Sequence, residues 1–287
     1  MNIDVDGVCF GYSDLEILKD LWVEFDGPQF ISILGPNGVG KSTFINCICK
    51  ILSSQKGVIR INGDNVEDLN VKQLSKELAY VPYAVHSSFP LTVADTVLMG
   101  RNPHSGMRTT DDDLRKVYGV LKRLGIEDLA LRQFNELSAG QHQKVVLARG
   151  LVQEPNILLL DEPTANLDIK HQMNVSALLR EISRERNMLI IMICHDINIA
   201  AKYSDNIVLM YKGSIHSVGT PEEVITSENL REVYGVDSTV IEANGRPHAI
   251  LNHTLEDESD GQWEHPFTES NSPVLSWNPG QGESDER

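Results

Sequence analysis

"FISILGPNGVGKST", residues 30–43, joins an apolar segment directly to a glycine-rich loop that ends in Lys-Ser-Thr. The apolar segment predicts a buried strand, and the one-sided apolar pattern after the loop predicts a helix. The loop fits G-x-x-x-x-G-K-[ST] in the strand–loop–helix context that this motif requires. Its glycines let backbone N–H groups point inward, and with the helix N-terminus these donors form a nest for phosphate. A glycine-rich turn with a chance lysine is the alternative, and the context disfavours it.

The loop is therefore expected to bind a nucleoside triphosphate. Lys41 would reach the β- and γ-phosphates, and the Ser42 hydroxyl would ligate Mg²⁺. The residues expected to contact the nucleotide are Gly35, Pro36, Asn37, Gly38, Val39, Gly40, Lys41, Ser42 and Thr43.

A second apolar segment ends in two adjacent carboxylates. "ILLLDEPTANLD", residues 157–168, places Asp161 and Glu162 at the end of a predicted buried strand. In phosphate-loop NTPases a carboxylate at this position holds Mg²⁺ through its water shell, which predicts a metal-binding role for Asp161. Glu162 is then available to polarise the attacking water as a general base. A GTPase-like fold would not need the second acid.

Short apolar segments and helical patterns alternate along most of the chain, which predicts an α/β class with a largely parallel core sheet. "GVCFGY" and "LWVEFDG" near the N-terminus are more typical of an antiparallel β edge. Helical patterns dominate from about residue 92 to 152, which indicates a helical insertion. We assign residues 1–250 to one nucleotide-binding domain. Residues 254–287, rich in Glu, Asp, Ser, Asn, Gly and Pro, are expected to form a disordered acidic tail.

The overall charge limits the classes of partner. The chain carries 25 Lys and Arg against 41 Asp and Glu, a formal net charge of −16. Such an acidic surface repels phosphate backbones, so we expect no nucleic-acid partner. The N-terminal segment lacks the pattern of a signal peptide, and no apolar run reaches the ~18 residues that a membrane span needs. Any role at a membrane is therefore expected to be that of a peripheral subunit.

A longer block now suggests a family. "LSAGQHQKVVLARGLVQEPNILLLDEPTANLD", residues 137–168, resembles the signature-to-Walker B block of ABC transporter ATPases. The family pattern is LSGGQ, from which Ala139 is a mild departure. The resemblance covers roughly residues 1–250 and implies the phosphate-loop NTPase fold of ABC ATPases, with ATP and Mg²⁺ as cofactors.

The resemblance also implies roles for individual residues. In this family two subunits pair head to tail around two ATP molecules, so a homodimer is expected. Ser138 and Gly140 match signature residues that meet the γ-phosphate of the opposite subunit's ATP, and Ser138 suits a helix N-cap.

His195 matches the switch histidine and joins Glu162 and Lys41 as an expected catalytic residue. The other expected nucleotide contacts are Ala139 and Gln141 in the signature, Asp168 in the D-loop at the dimer seam, and Tyr12, which matches the aromatic that stacks on adenine. For Tyr12, a half-buried edge-strand aromatic remains the alternative.

Two further segments narrow the resemblance. "FPLTVADTVLMGRNPH", residues 89–104, and "HDINIAAKYSDNIVLMYKGSIHSVGTPEEVIT", residues 195–226, are similar to the ATPases of metal-chelate importers. These importers move ferric siderophores, haem or cobalamin. The similarity implies a subunit at the cytoplasmic face of the cell membrane, working with an integral-membrane permease and an extracytoplasmic substrate-binding protein. His86, His104, His142 and His171 show no ligand spacing, so the choice of chelate is expected to lie in those partners.

Other functions share part of this pattern. An ABC exporter ATPase is the nearest, and only the importer-like segments oppose it. A soluble ABC ATPase of translation or DNA repair usually fuses two ATPase units or carries a long coiled-coil insertion, and this chain has neither. A small-molecule kinase has no need of "LSAGQ" or "ANLD". A non-hydrolysing regulatory subunit would not need to retain Lys41, Asp161, Glu162 and His195.

One position departs from the family in a way that can be tested. Tyr83 stands where the family usually has the glutamine that approaches Mg²⁺. A protonated phenol is a poor metal ligand, so coordination there is expected to be indirect while hydrolysis persists. We expect a Tyr83→Gln variant to change the Mg²⁺ concentration that gives half-maximal ATP hydrolysis. An unchanged rate and unchanged Mg²⁺ dependence would show that the departure hardly matters.

Overall fold

The computed structural model describes residues 1–13, 15–83, 91–104, 109–165 and 167–255 of the chain. The strands are β1 (Asn2–Tyr12), β2 (Leu15–Asp26), β3 (Phe30–Leu34), β4 (Lys56–Ile61), β5 (Asp64–Asn65), β6 (Leu78–Val81), β7 (Ile157–Leu160), β8 (Leu189–Ile193), β9 (Asn206–Tyr211), β10 (Ser214–Gly219), β11 (Val236–Ala243) and β12 (Arg246–Thr254). The α-helices are α1 (Lys41–Ile48), α2 (Val71–Glu77), α3 (Val93–Leu98), α4 (Asp111–Arg123), α5 (Ala139–Leu151), α6 (Ile169–Glu185), α7 (Ile197–Tyr203), α8 (Pro221–Val224) and α9 (Ser227–Tyr234).

The central sheet has the strand order β10-β9-β3-β8-β7-β6. The pairs β9–β3, β3–β8, β8–β7 and β7–β6 are parallel, and only β10 pairs antiparallel to its neighbour. A separate antiparallel sheet has the order β2-β1-β4-β5, and β11 and β12 form a hairpin. The predicted α/β class with an antiparallel β part is therefore confirmed.

The central sheet is buried on both faces. In β3, Phe30 and Leu34 contribute to one hydrophobic cluster, shared with residues of α4, α5 and α6, while Ile31 and Ile33 contribute to the other, shared with α1 and the antiparallel sheet. Side chains of a strand alternate between its faces, so a strand covered on both sides must be apolar throughout. This explains why the core strands are continuous apolar runs in the sequence.

Helices α3, α4 and α5 fall in the segment for which an insertion is predicted. The buried guanidinium of Arg101 connects them, because its Nε donates to Asp113 Oδ1 on α4 (2.9 Å) and its Nη1 donates to the carbonyl of Val152 after α5 (2.9 Å). Residues 1–254 form one compact unit. The assigned boundaries at 250 and at 92–152 stay predictions, and residues 256–287 of the expected tail lie outside the described residues.

Substitutions at two glycines of this helical region test how closely its helices pack. A Cβ at Gly100 would lie 2.2 Å from the carbonyl oxygen of Arg149 on α5, whereas a Cβ at Gly119, exposed on α4, would meet nothing within 4 Å. We expect Gly100→Ala to lower the free energy of unfolding by about 1–3 kcal/mol through overpacking. Gly119→Ala should raise it by about 0.5–1 kcal/mol through helix propensity. Urea unfolding of both variants measures this, and equal stabilities would contradict the close approach of α5.

Candidate active site

The candidate site lies where three neighbouring parallel strands end. The phosphate loop follows β3, Asp161 and Glu162 follow β7, and His195 lies two residues after β8. Because β8 lies between β3 and β7 in the sheet, the carboxyl ends of all three strands meet at one edge. This edge is where ligands bind in open α/β sheets.

The backbone of the phosphate loop requires its glycines. Gly35 has φ +147°, and a Cβ there would lie 2.4 Å from the carbonyl oxygen of Met210. Gly40 adopts the left-handed conformation (φ 104°) and is the N-cap of α1, with its carbonyl accepting from the Phe44 N–H at 2.8 Å. Asn37 and Gly38 are exposed at the tip, and Val39 is buried. The loop thus leaves its tip open while its base packs closely against β9.

Lys41 is buried and is held against this loop. Its Nζ donates to the carbonyls of Gly35 (2.8 Å) and Pro36 (2.9 Å). Burial lowers the pKa of Lys41, while the charges of Glu162 and Asp161 act to raise it. The ammonium therefore has two carboxylates after β7 as charge partners, and phosphate oxygens at the loop would find it already oriented.

Asp161 is buried and accepts from two hydroxyls. Ser42 Oγ donates to its Oδ1 at 2.9 Å, and Tyr80 OH donates to its Oδ2 at 3.4 Å. Burial raises the pKa of Asp161, as does the charge of Glu162, whereas the Ser42 and Tyr80 hydrogen bonds and the Lys41 charge lower it. Burial also raises the pKa of Tyr80, which keeps its phenol a donor.

The hydroxyl of Ser42 and the carboxylate of Asp161 form a hard oxygen donor set. Mg²⁺ prefers such ligands and usually takes only one or two of them from the protein, the rest being waters and substrate phosphates. The two side chains, from residues 119 apart in sequence, are already in contact. They fit Mg²⁺ as the metal of this site.

Glu162 and His195 face each other across the strand ends. Glu162 Oε1 lies 2.6 Å from His195 Nε2, and the two line a cavity of about 270 Å³ that also includes Gln172. The backbone of Glu162 is left-handed (φ 50°), a conformation that costs a non-glycine residue about 1–3 kcal/mol. Such strain is typical of residues whose orientation serves a function.

Sequence analysis missed two residues of this centre. Tyr80 lies on β6 opposite Leu159 of β7, so its position next to Asp161 depends on the strand order of the sheet. Gln172 on α6 donates to the carbonyls of Thr164 (3.3 Å) and Leu167 (3.0 Å) and so supports the segment after Glu162. Neither residue belongs to a recognisable local motif, and no signal in the sequence alone indicates them.

The signature residues lie at a different cavity. Ser138 N-caps α5, its Oγ accepting from the Gln141 N–H (3.4 Å) and its own N–H donating to Gln141 Oε1 (3.1 Å). A cavity of about 590 Å³ is lined by Ser138, Ala139, Gly140, Gln141 and Asp168, together with neighbours such as Lys144 and His171. Among the described residues, this cavity and the one at Glu162 have no lining residue in common. Within one chain, the signature residues therefore lie at a different cavity from Glu162 and His195.

The remaining sequence-predicted residues are placed as follows. Tyr12, at the end of β1, is 52% exposed and packs edge-on against Phe10 with a centroid distance of 5.0 Å. This exposure leaves Tyr12 accessible to a ligand. Thr43 is half-buried in the first turn of α1. Tyr83, after β6, is about half exposed.

The four histidines noted in the sequence have separate surroundings. His104 Nε2 lies 2.8 Å from the Gln153 carbonyl, and the His142 ring packs on Phe134. His171 Nδ1 lies within hydrogen-bond distance of Asp168 Oδ1 (2.8 Å). His86 lies outside the described residues. Within the described part of the chain, no group of three or more His, Cys, Asp or Glu side chains is arranged to hold a metal ion.

Comparisons with known proteins agree with this geometry. Residues 18–165 match the protein family described as ABC transporter. An uncharacterised ABC transporter ATP-binding protein of Methanocaldococcus jannaschii is 44% identical over 250 residues, 87% of this chain and 98% of that protein. A hemin import ATP-binding protein of Escherichia coli O157:H7 is 35% identical, covering 88% of this chain and all of that protein. A solved structure of a metal-chelate type ABC transporter in an inward-facing conformation has a TM-score of 0.76 and 26% identity, over 88% of this chain and 97% of that one.

The raised pKa of Asp161 predicts a pH-dependent stability. The folded state holds this proton more tightly than the unfolded chain, so stability is lost as pH rises through the folded pKa. We expect Asp161→Asn, which retains an oxygen for the Ser42 donor, to raise the free energy of unfolding at pH 7. The gain should disappear at acidic pH, where Asp161 is protonated.

Urea unfolding without nucleotide or Mg²⁺, repeated across pH, measures this effect. Asp64→Asn on β5, where the residue is exposed, controls for relief of the general negative charge. An equal gain from both variants would contradict a specific cost of burying Asp161.

Proposed function

We propose a transport function for this chain, because it belongs to the ABC transporter family. The chain is an ATPase that binds ATP. We propose that it powers the import of a metal chelate, that is, an iron-siderophore, haem or cobalamin, through a separate permease. The hemin import relative and the metal-chelate type transporter structure support this class of cargo.

One observation carries the catalytic part of the proposal. Asp161 and Glu162 follow β7, His195 follows β8 and Lys41 ends the loop after β3, with Glu162 Oε1 2.6 Å from His195 Nε2. One edge of the sheet thus brings together the Lys41 cation, which suits phosphate oxygens, the Ser42 and Asp161 oxygens, which suit a metal, and the Glu162 carboxylate, which suits a base. Phosphoryl transfer to water needs these groups for positioning, charge stabilisation and proton removal.

The proposed roles follow from these contacts. Lys41 binds the β- and γ-phosphates in place of the loop carbonyls that it now contacts. Glu162 takes a proton from the attacking water, and His195 Nε2 orients the Glu162 carboxylate and approaches the γ-phosphate. Ser42 and Asp161 hold Mg²⁺, which when bound offsets negative charge on the phosphates. Tyr12 stacks on adenine.

The separation of the two residue groups favours a dimer. The signature lines one cavity of the chain and the Glu162–His195 pair lines another, so both can act on the same nucleotide if a second copy supplies the signature. Ser138, Ala139, Gly140 and Gln141 would then direct the N-terminal end of α5 at the γ-phosphate of the partner's ATP, with Asp168 at the seam. The expected assembly is a homodimer that sandwiches two ATP molecules.

The proposed setting is the cytoplasmic face of the cell membrane. No helix within the described residues is both long and apolar enough to cross a bilayer. By similarity to the hemin import relative, we assign the membrane path to an integral-membrane permease and capture of the chelate to an extracytoplasmic binding protein. ATP-driven closure of the dimer would move the permease, and hydrolysis with phosphate release would reopen it. An exporter ATPase remains the second candidate, since it uses the same nucleotide chemistry.

Replacing the proposed base tests the catalytic assignment. We expect Glu162→Gln to retain ATP binding but to lower ATP hydrolysis by at least about 100-fold, the range typical of a general base. ATP with Mg²⁺ should then convert the variant from monomer to dimer on size-exclusion chromatography. Glu181→Gln, an exposed substitution on α6, is the matched control and should hydrolyse ATP normally. Wild-type hydrolysis by Glu162→Gln would contradict the role of Glu162.

The transport assignment has its own test. The tagged chain is purified in mild detergent from its native membranes, and the co-purifying proteins are identified. We expect a polytopic permease, whose reconstituted complex takes up a metal chelate only with ATP. Outward movement of a substrate would favour the exporter, and ribosomal or DNA-repair proteins without a permease would overturn transport while leaving the ATPase chemistry unaffected.

A further inference from the structure

A cavity of about 720 Å³ is lined by none of the expected nucleotide contacts. Its walls are α6, α7 and the turn of the β11–β12 hairpin. On α6 the lining residues Ile169, Met173 and Arg180 lie on one helix face. The volume falls within the range of about 300–1,000 Å³ that is usual for small-molecule sites.

The cavity walls are held by specific interactions. Asn198 on α7 pairs with the backbone of Ala249 on β12, accepting from its N–H (2.8 Å) and donating to its carbonyl (3.1 Å). The hairpin turn is Asn244-Gly245, both with positive φ (55° and 71°), which is the conformation that favours a tight two-residue turn. The cavity is therefore preformed.

The charge of the lining is opposite to that of the protein. Arg180, Lys202 and Arg246 face one carboxylate, Asp196, whose Oδ1 already accepts from the Ile199 N–H at 2.8 Å. The chain as a whole has a net charge of −16. A cationic cavity on so acidic a protein concentrates small anions locally.

The two arginines keep donors available. Arg180 Nη2 lies 4.0 Å from Asp205 and Arg246 Nη1 lies 3.5 Å from Glu222, both longer than the 2.7–2.9 Å typical of charged hydrogen bonds. Arg180 Nε is buried and has no hydrogen-bond partner within the described residues. Burial lowers the pKa of Arg180, and the charges of Arg184 and Arg246 add to this while Asp205 opposes it.

We propose that this cavity binds a small organic anion whose acidic head contacts Arg180 and Arg246 and whose apolar body lies against Ile169, Met173 and Ile199. The guanidinium fork matches carboxylate and phosphate heads alike. Apolar side chains from both helices supply the second part of the site. Asp196 also lines the cavity that contains Glu162 and His195, so a ligand here would contact the helix that begins beside the switch histidine.

The test uses octanoate as the carboxylate probe, octyl phosphate as the phosphate probe and octanamide as a neutral probe of similar length. Isothermal titration calorimetry is done on the full chain with saturating ADP and Mg²⁺, so that the nucleotide site is occupied. We expect at least one anion to bind about tenfold more tightly than octanamide, and the better anion identifies the preferred head.

Variants locate the binding. Arg180→Gln and Arg246→Gln should each lower the affinity for the better anion by about tenfold. Arg184→Gln, one turn further along α6 and more exposed, should change this affinity by less than about twofold. Thermal unfolding checks that each variant is folded. Octanamide binding as tightly as both anions, no saturable binding, or equal affinities for all three variants would overturn the proposal. None of these results depends on the transport function.

Discussion

The parallel pairing of β3, β8 and β7 is the constraint on which the rest of the site depends. Parallel strands in register end at the same edge, so the loop after β3 and the side chains after β7 and β8 are brought together without any contact local in sequence. Ser42 and Asp161 lie 119 residues apart in the chain and 2.9 Å apart in space. A shift of one residue in either register would exchange the side chains of the two faces, so Ile31 and Ile33 would turn toward the cluster that now contains Phe30 and Leu34.

Charged side chains are buried at this edge, although burying a charge costs free energy. Lys41 and Asp161 are both buried, and burial displaces their pKa values in opposite directions. Their mutual attraction and the donors of Ser42 and Tyr80 offset part of the desolvation cost. Glu162 adds a strained backbone. Buried charge and local strain at one place are what a site shows when its geometry serves a ligand rather than stability.

The signature is the second part of the proposed ATP site. The signature lies at the start of α5, which Ser138 and Gln141 cap with a capping box. Ser138 and Ala139 are exposed at this helix end. The same helix is held at its other end by Arg101 and by the close approach of Gly100. A helix packed at its C-terminal end and open at its N-terminus is suited to present that end to a phosphate on another molecule. The physical basis of the proposed dimer is therefore the open start of α5 as well as the separation of the two cavities.

The sequence by itself determined the phosphate loop, the paired carboxylates, the signature and the α/β class, because each depends on residues that are neighbours in the chain or on a period that a single element repeats. It could not indicate that Tyr80 contacts Asp161, that Glu162 meets His195 at 2.6 Å, or that Arg180 and Arg246 line one cavity. Those contacts join elements far apart in the chain, and only the order of strands in the sheet and the packing of α6, α7 and the hairpin decided them. The reason is physical: local patterns record which face of an element is buried, whereas the partner that buries it is chosen by tertiary packing.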